Sequence, residues 1–357
     1  MAVWESDAVR IGVLTGGGDC PGLNAVIRAV VLSGVAVHGD EVLGFLDGWR
    51  GVLDDRTMAL GPEGCRDLLA RGGTVLGTSR TNPFATDGGP EQAVAVLKGH
   101  GVDAVVAIGG DDTLGVASRL GPLGVAAVGV PKTIDNDLSG TEVTFGFDTA
   151  VQIATEAIDR LRTTAESHHR VIVCEVMGRH VGWIATYAGI AGGAAEILVP
   201  EVPFDLDAVC ARLARRHGRG QYSSIVVVSE GAVPAEGPDA DSARLATSPK
   251  SVDAFGHARL GGIGAWLAEE IEARTGYESR VTTLGHIQRG GTPTAYDRVL
   301  ATRFGVAAVA AAHEGDFATM VALQAGRIVR VPLATAVGRP KTLDLGLLTD
   351  VAGPCLD

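Results

Sequence analysis

The chain has 357 residues and a formal net charge of −12 at pH 7, with 46% hydrophobic and 20% charged residues. Such a balance suits a globular protein of about two domains with a sizeable core, and the acidic excess argues against broad binding to nucleic acid or to an acidic membrane surface. Five scattered cysteines (Cys20, Cys65, Cys174, Cys210, Cys355) without a CxxC pair read as reduced cytoplasmic thiols, not a disulfide frame or zinc site.

In chain order, the first seven residues lack the basic flank and apolar core of a secretory leader. No apolar run reaches the roughly 18 residues of a membrane span. Apolar runs at 10–15, 103–108, 126–130, 171–176, 196–199 and 225–229 each end in glycine or polar residues. Their continuous Val/Ile content suits strands buried on both faces of a parallel sheet. Between them Val151, Ala154, Ile158 and Leu161 recur at helical spacing, with Asp148 placed to cap the start. The alternation predicts a doubly wound α/β architecture, whose ligands bind beyond the carboxyl ends of the strands. Residues 232–251, rich in Pro, Asp, Ser and Ala, read as a surface excursion or a flap near a site.

Three strand ends carry chemistry. The first reads Thr15-Gly16-Gly17-Gly18-Asp19-Cys20-Pro21-Gly22, with a helix from Asn24. Glycines let backbone N–H groups approach a phosphate, and a helix start adds partial positive charge; a tight turn without ligand is the other reading. It matches neither GxGxxG nor GxxxxGK[ST]. The second, Ile108-Gly109-Gly110-Asp111-Asp112-Thr113-Leu114, offers glycines for a phosphate and Asp111 as a hard oxygen ligand for Mg²⁺, or as a helix cap. The third is Val130-Pro131-Lys132-Thr133-Ile134-Asp135-Asn136-Asp137. In an extended segment Asp135 and Asp137 point the same way, one as general base and one as a positioning or metal-side group, unless the run is an acidic surface loop.

These segments resemble the phosphofructokinase family. Later runs agree in order: Arg71-Gly72-Gly73-Thr74 with Thr78-Ser79-Arg80, Ser167-His168-His169-Arg170, Glu175-Val176-Met177-Gly178-Arg179, Ser229-Glu230, Arg280, and Leu284-Gly285-His286-Ile287-Gln288-Arg289-Gly290-Gly291. The resemblance spans about residues 9 to 310. It implies two Rossmann-like domains with largely parallel sheets and an active site in the cleft between them. A donor domain would comprise 1–146 plus about 262–310, and a fructose 6-phosphate domain 147–261 plus about 311–357.

The implied reaction phosphorylates the 1-hydroxyl of fructose 6-phosphate with Mg²⁺. Asp135 would be the base, Thr133 and Asp137 would position sugar and phosphoryl group, and Asp111 would hold the metal. Arg179 would stabilise the transferring group, while Met177 and Gly178 pack on the sugar. Glu230, His286 and Arg289 would bind sugar hydroxyls and the 6-phosphate. In the family, counterparts of Arg170 and Arg280 reach over from a neighbouring subunit, which implies a homodimer or homotetramer with shared active sites. Taken singly, Arg170, Arg280 and Arg289 also suit surface salt bridges. Gly17, Gly18, Arg80, Gly110, Asp111, Asp112, Thr113 and Lys132 are the expected donor-binding set. Phosphoryl transfer needs positioning and charge neutralisation more than covalent chemistry, so such a set suffices.

The donor turns on Asp112 and Lys132, where ATP-using members usually carry glycine. Asp112 adds bulk and negative charge where an α-phosphate would lie, and like charges 4 Å apart cost about 4 kcal/mol at an effective dielectric near 20. Lys132 suits a small, highly charged donor and joins the catalytic set. The pair resembles the pyrophosphate-dependent branch; Arg80, whose counterpart contacts ATP elsewhere, keeps ATP as the alternative. Other kinases with a Gly-Gly-Asp loop leave the later motifs unexplained. An inactive sugar-phosphate-binding subunit is disfavoured by intact Asp111, Asp135 and Arg179. Arg28 and Arg162 match only part of the family's effector-binding set, Leu32 replacing a basic residue, which implies weak or absent allostery.

Overall fold

In a computed structural model, residues 8–247 and 261–353 are described. They form two compact units, the first from 8–149 and 289–340, the second from 150–247, 261–288 and 341–353.

The first unit is built on a seven-stranded sheet: β1 (Arg10–Thr15), β2 (Glu41–Phe45), β3 (Thr57–Leu60), β4 (Ala104–Gly109), β5 (Ala127–Pro131), β10 (Thr319–Gln324) and β11 (Arg327–Pro332). Their order is β11-β10-β5-β4-β1-β2-β3. The five inner strands run parallel, and the two edges are antiparallel. Every residue of β4 and β5 is buried, as a sheet covered on both faces requires. Around it lie α1 (Leu23–Ser33), α2 (Trp49–Leu53), α3 (Gly89–Gly99), α4 (Asp111–Leu120), α10 (Ala295–His313) and α11 (Leu333–Ala336). A Cβ at Gly305 would come within 2.7 Å of the Ala29 Cβ, so glycine is what lets α10 pack closely on α1. Leu14, Phe45, Trp49, Leu114, Met320 and Leu333 share the main core.

The helix α5 (Phe147–His168) leads into the second unit. There β6 (Val171–Val176), β7 (Glu196–Leu198), β8 (Ser224–Ser229) and β9 (Ser279–Thr283) form a parallel sheet ordered β7-β8-β6-β9. Val173, Val226 and Val228 meet Leu206 and Leu213 of α7 (Leu206–Gly218) and Leu267 and Ile271 of α9 (Ile263–Thr275). The helices α6 (Trp183–Ala191) and α8 (Pro238–Thr247) complete the unit.

The α/β class and the six expected strands are present, each within a residue of its expected bounds. Three expectations are corrected. Residues 262–288 fall in the second unit, because β9 pairs with β6, and 311–340 fall in the first, because β10 pairs with β5. Asp148 does not cap α5 but lies in its first turn. The stretch expected as a surface excursion contains α8, with Ala240 and Ala243 buried and Ser242 Oγ accepting from Trp266 Nε1; residues 248–251 lie outside the described ones. Cys20, Cys65, Cys174 and Cys210 are buried free thiols, and Cys355 lies outside the described residues. No described helix is long and apolar enough to cross a membrane.

Candidate active site

At the carboxyl end of β1 the chain is laced to two neighbours. The Gly16 amide donates to the Ile108 carbonyl (3.0 Å) and the Gly17 amide to that of Ser79 (3.0 Å). Thr15 Oγ1 donates to the Gly77 carbonyl and Thr78 Oγ1 to that of Gly17. Arg80 therefore emerges, exposed, from a segment tied to the glycine loop. Gly17 has φ +81, where side chains are strained.

The other glycines serve different ends. A Cβ at Gly16 or Gly109 would overlap the side chain of buried Thr113, so these two make room for it. A Cβ at Gly18 would come within 2.6 Å of Arg289 Nη1, which donates to the Asp19 carbonyl (3.3 Å). Gly110 is the exception. Its φ of −86 suits any residue, and a Cβ would meet only the Lys132 carbonyl at 3.5 Å. Among the described residues none crowds it, so the start of α4 is open at this point.

The run after β5 is not the extended alternation expected for Asp135 and Asp137. Asn136 takes a left-handed φ of +54, and its Oδ1 accepts from the Thr144 amide (3.1 Å). Thr144 Oγ1 donates to the Thr133 carbonyl (2.8 Å), and the Asp135 amide donates to Thr133 Oγ1 (3.0 Å). Lys132 bridges Phe145 in parallel. The result is a compact turn with both carboxylates half-buried.

Lys132 is 3% exposed and its Nζ donates to the Gly18 carbonyl (2.6 Å). Burial pushes its pKa down, and the Arg289 charge adds to that. Asp137 goes the other way: burial, then the Asp135 charge, push it up to about 6, with Asp111 contributing. Asp135 Oδ1 is buried without a hydrogen-bond partner. Asp111, exposed in the first turn of α4, accepts at Oδ1 from the Gly338 amide (2.6 Å); Asp112 beside it is half-buried.

Asp137 lies in the field of both Asp135 and Asp111, and Asp135 keeps an orphaned oxygen, a concentration of negative charge that a cation would relieve. Among the described residues no cluster of three or more His, Cys, Asp or Glu forms a cage of its own. Mg²⁺ asks for no such cage, since it takes one or two carboxylates and completes its shell with water and phosphate oxygens, and exposed Asp111 offers one such carboxylate.

In the second unit β6 delivers Met177, Gly178 and Arg179. Gly178 has φ +138, and its carbonyl accepts from Ser229 Oγ (3.1 Å) and the Gly231 amide (3.1 Å). Glu230 is held by its amide on the Val176 carbonyl (2.8 Å). Arg179 is half-buried with Nε unpartnered. Arg170 pairs with Glu278 (2.7 Å); Arg280 pairs with the same carboxylate and with Glu272 (3.5 Å). The Arg170 hydrogen bond holds Glu278 below the usual carboxylate range. His286 is exposed on the 3₁₀ turn Gly285–Arg289.

Thus the first unit gathers Gly17, Gly18, Gly110, Asp111, Thr113, Lys132, Thr133, Asp135, Asp137 and Arg289, while Arg170, Met177, Gly178, Arg179, Glu230, Arg280 and His286 belong to the second. Sequence reasoning missed Thr144 and Gly338. Asn136, a residue that tolerates left-handed backbone, was the available signal for the turn; Gly338 had none.

A sequence profile described as Phosphofructokinase matches residues 10–312. A pyrophosphate–fructose 6-phosphate 1-phosphotransferase of Amycolatopsis methanolica is 62% identical over 335 residues, 94% of this chain and 96% of the relative. An ATP-dependent 6-phosphofructokinase of Mycobacterium tuberculosis (strain H37Rv) is 53% identical over 345 residues, 96% of this chain and 99% of the relative. The phosphofructokinase of Pichia pastoris in its T-state superposes with a TM-score of 0.81 at 32% identity, covering 93% of this chain and 35% of the other.

Proposed function

The chain belongs to the phosphofructokinase family, and on that premise we propose that it transfers a phosphoryl group from pyrophosphate to the 1-hydroxyl of fructose 6-phosphate. The products are fructose 1,6-bisphosphate and orthophosphate, and the reaction runs reversibly in the cytoplasm. The observation that carries the donor is the buried Lys132 ammonium, seated on the Gly18 carbonyl within the turn that follows Gly110 and Asp112 along the sheet. An ammonium pushed toward neutrality by burial is returned to its charged form by a small polyanion. The Asp112 carboxylate opposes the additional α-phosphate of a nucleotide.

Asp135 takes the proton of the 1-hydroxyl as its oxygen bonds to phosphorus and the bridging oxygen of pyrophosphate departs with orthophosphate. Its unpartnered Oδ1 is the atom suited to that proton. Thr133 Oγ1 accepts from its amide and steadies its backbone. The glycine-loop amides and Lys132 bind the donor. Asp111 would hold Mg²⁺, which neutralises donor charge and steadies the leaving phosphate.

Of the second unit's residues, Met177, Gly178, Glu230 and His286 take the sugar, and Arg179 the transferring group. Arg170 and Arg280 serve a neighbouring subunit in a homo-oligomer, leaving Glu278 for the substrate phosphate. Arg289, beside Asp19 in the first unit, contributes to phosphate binding. Matched turnover with pyrophosphate and with ATP on one preparation is the test. Turnover with pyrophosphate sustains the donor reading. Turnover with ATP alone moves the chain to the ATP-dependent reading, which the name of the 53% identical relative favours.

A further inference from the structure

The turn Lys132–Asp137 is held by Thr144 and Phe145, and a few residues further along the chain Thr149 is bound by a buried carboxylate outside the site. Asp297, with no exposed surface, accepts at Oδ2 from both the amide (2.8 Å) and the hydroxyl (2.5 Å) of Thr149 in the first turn of α5. Thr294, the N-cap of α10, donates its amide to Thr149 Oγ1 (3.1 Å) and its hydroxyl to Asp148 (2.6 Å), and accepts from the Asp297 amide (3.2 Å). Two helix N-termini therefore meet, an amide of α5 satisfied by Asp297 of α10 and amides at the start of α10 by Thr149 of α5 and by Thr294 itself.

Four residues separate Thr144, which holds the turn, from Thr149 at this junction. A Cβ at Gly146 would come within 2.6 Å of Cys20 Sγ in the glycine loop, and the Cys20 thiol donates to the Phe145 carbonyl (3.7 Å). Burial pushes that thiol up to about 12, so it keeps its proton.

We propose that Asp297 is a positioning residue for the base, fixing the 144–149 segment and through it the Lys132–Asp137 turn. It acts on the reaction proposed above and rests on that reading. The bracket has one free end without Asp297, since Thr149 loses the acceptor of both its donors. Displacements of about 1 Å remote from the chemistry can cost on the order of 10²-fold.

The test compares Asp297→Ala, Asp297→Asn, Thr149→Val and the Asp297→Ala/Thr149→Val double variant, as full chains with pyrophosphate and fructose 6-phosphate. Asp297→Ala should lower kcat about 10- to 100-fold with KM for pyrophosphate changed less than about twofold. Asp297→Asn, which keeps an acceptor oxygen, should recover most of that loss. The double variant should fall no lower than Asp297→Ala alone, because the two residues act as one unit. Hydrogen exchange of the peptide covering 132–147 gives a readout independent of turnover and should speed up in Asp297→Ala. Wild-type kcat in folded Asp297→Ala, or unchanged exchange in that peptide, overturns the proposal. A wild type that turns over neither donor overturns the functional reading alone, since the exchange measurement still decides this one. If Asp297→Ala does not fold, the near-isosteric Thr149→Val decides by the same kcat and exchange criteria.

Discussion

The two units prepare their charged groups in opposite ways. In the first, the turn and glycine loop are fixed by the chain itself: Lys132 rests on the Gly18 carbonyl, Asn136 on Thr144, and Asp135 keeps a buried oxygen without a partner. In the second, Arg170 and Arg280 share Glu278 as counter-ion. A base must stand in place before the substrate arrives, because its geometry is part of the barrier. Long basic side chains can instead be parked on a carboxylate and exchanged for a phosphate, at a cost in affinity only.

That contrast predicts which substitutions strike turnover and which strike binding. Asp135→Asn should lower kcat by about 10²- to 10⁴-fold with KM values changed only a few-fold, the range expected on losing a general base; steady-state kinetics on the folded variant would show it. A loss below tenfold would remove the turn from the centre of the chemistry. Arg280→Ala should raise KM for fructose 6-phosphate by about 10-fold, the loss of one charge-assisted hydrogen bond, with kcat little altered. The partner substitution Glu278→Gln should lower that KM by about two- to threefold, since exposed ion pairs are worth under roughly 1 kcal/mol. If both variants change kcat and spare KM, the arginines are not parked binding groups.

Donor choice is a smaller effect. Asp112→Gly should raise kcat/KM for ATP several-fold relative to pyrophosphate, by relieving repulsion of an α-phosphate; an unchanged ratio measured on paired substrates would place selectivity elsewhere. The smallest effect is on stability. Burial and the Asp135 charge push the Asp137 carboxyl up to about 6 in the folded chain, from an ordinary value of 3.8, so its ionisation opposes folding. The stability it allows is complete below pH 3.8 and is lost as pH rises through 6. Asp137→Asn should therefore melt above the wild type at pH 8, and the gap should close by about pH 4 in thermal scans. A gap that widens on acidification would reverse the sign.

What could be read beforehand follows from how each element is buried. Strands covered on both faces, such as β4 and β8, declare themselves as unbroken apolar runs. The edge strands β9 and β11, with Arg280, Val281 and Arg327 exposed, carry no such pattern and went unrecognised, as did the short buried run of β10. With them went the correct allotment of the last third of the chain, which depends on β9 pairing β6 and β10 pairing β5. The glycines, Asp111, Lys132 and Asp135 stood out in the sequence because each follows an apolar run, and the fold does set them just beyond β1, β4 and β5. Thr144, Asp297 and Gly338 were not, because an ordinary hydroxyl, carboxylate or amide acquires its role only from a partner distant in sequence. The paired carboxylates were found, but not their arrangement, since the left-handed Asn136 breaks the period of two.

The seating of Thr113 under Gly16 and Gly109 has a consequence for how this region can diverge. A methyl added at either glycine has nowhere to go while a threonine occupies the space, and at position 109 the first carbon of almost any side chain at 113 is obstacle enough. The three positions are therefore coupled as a steric triplet. Drift at one is blocked until another has shrunk, so descendants of this chain should alter them in concert or leave them alone.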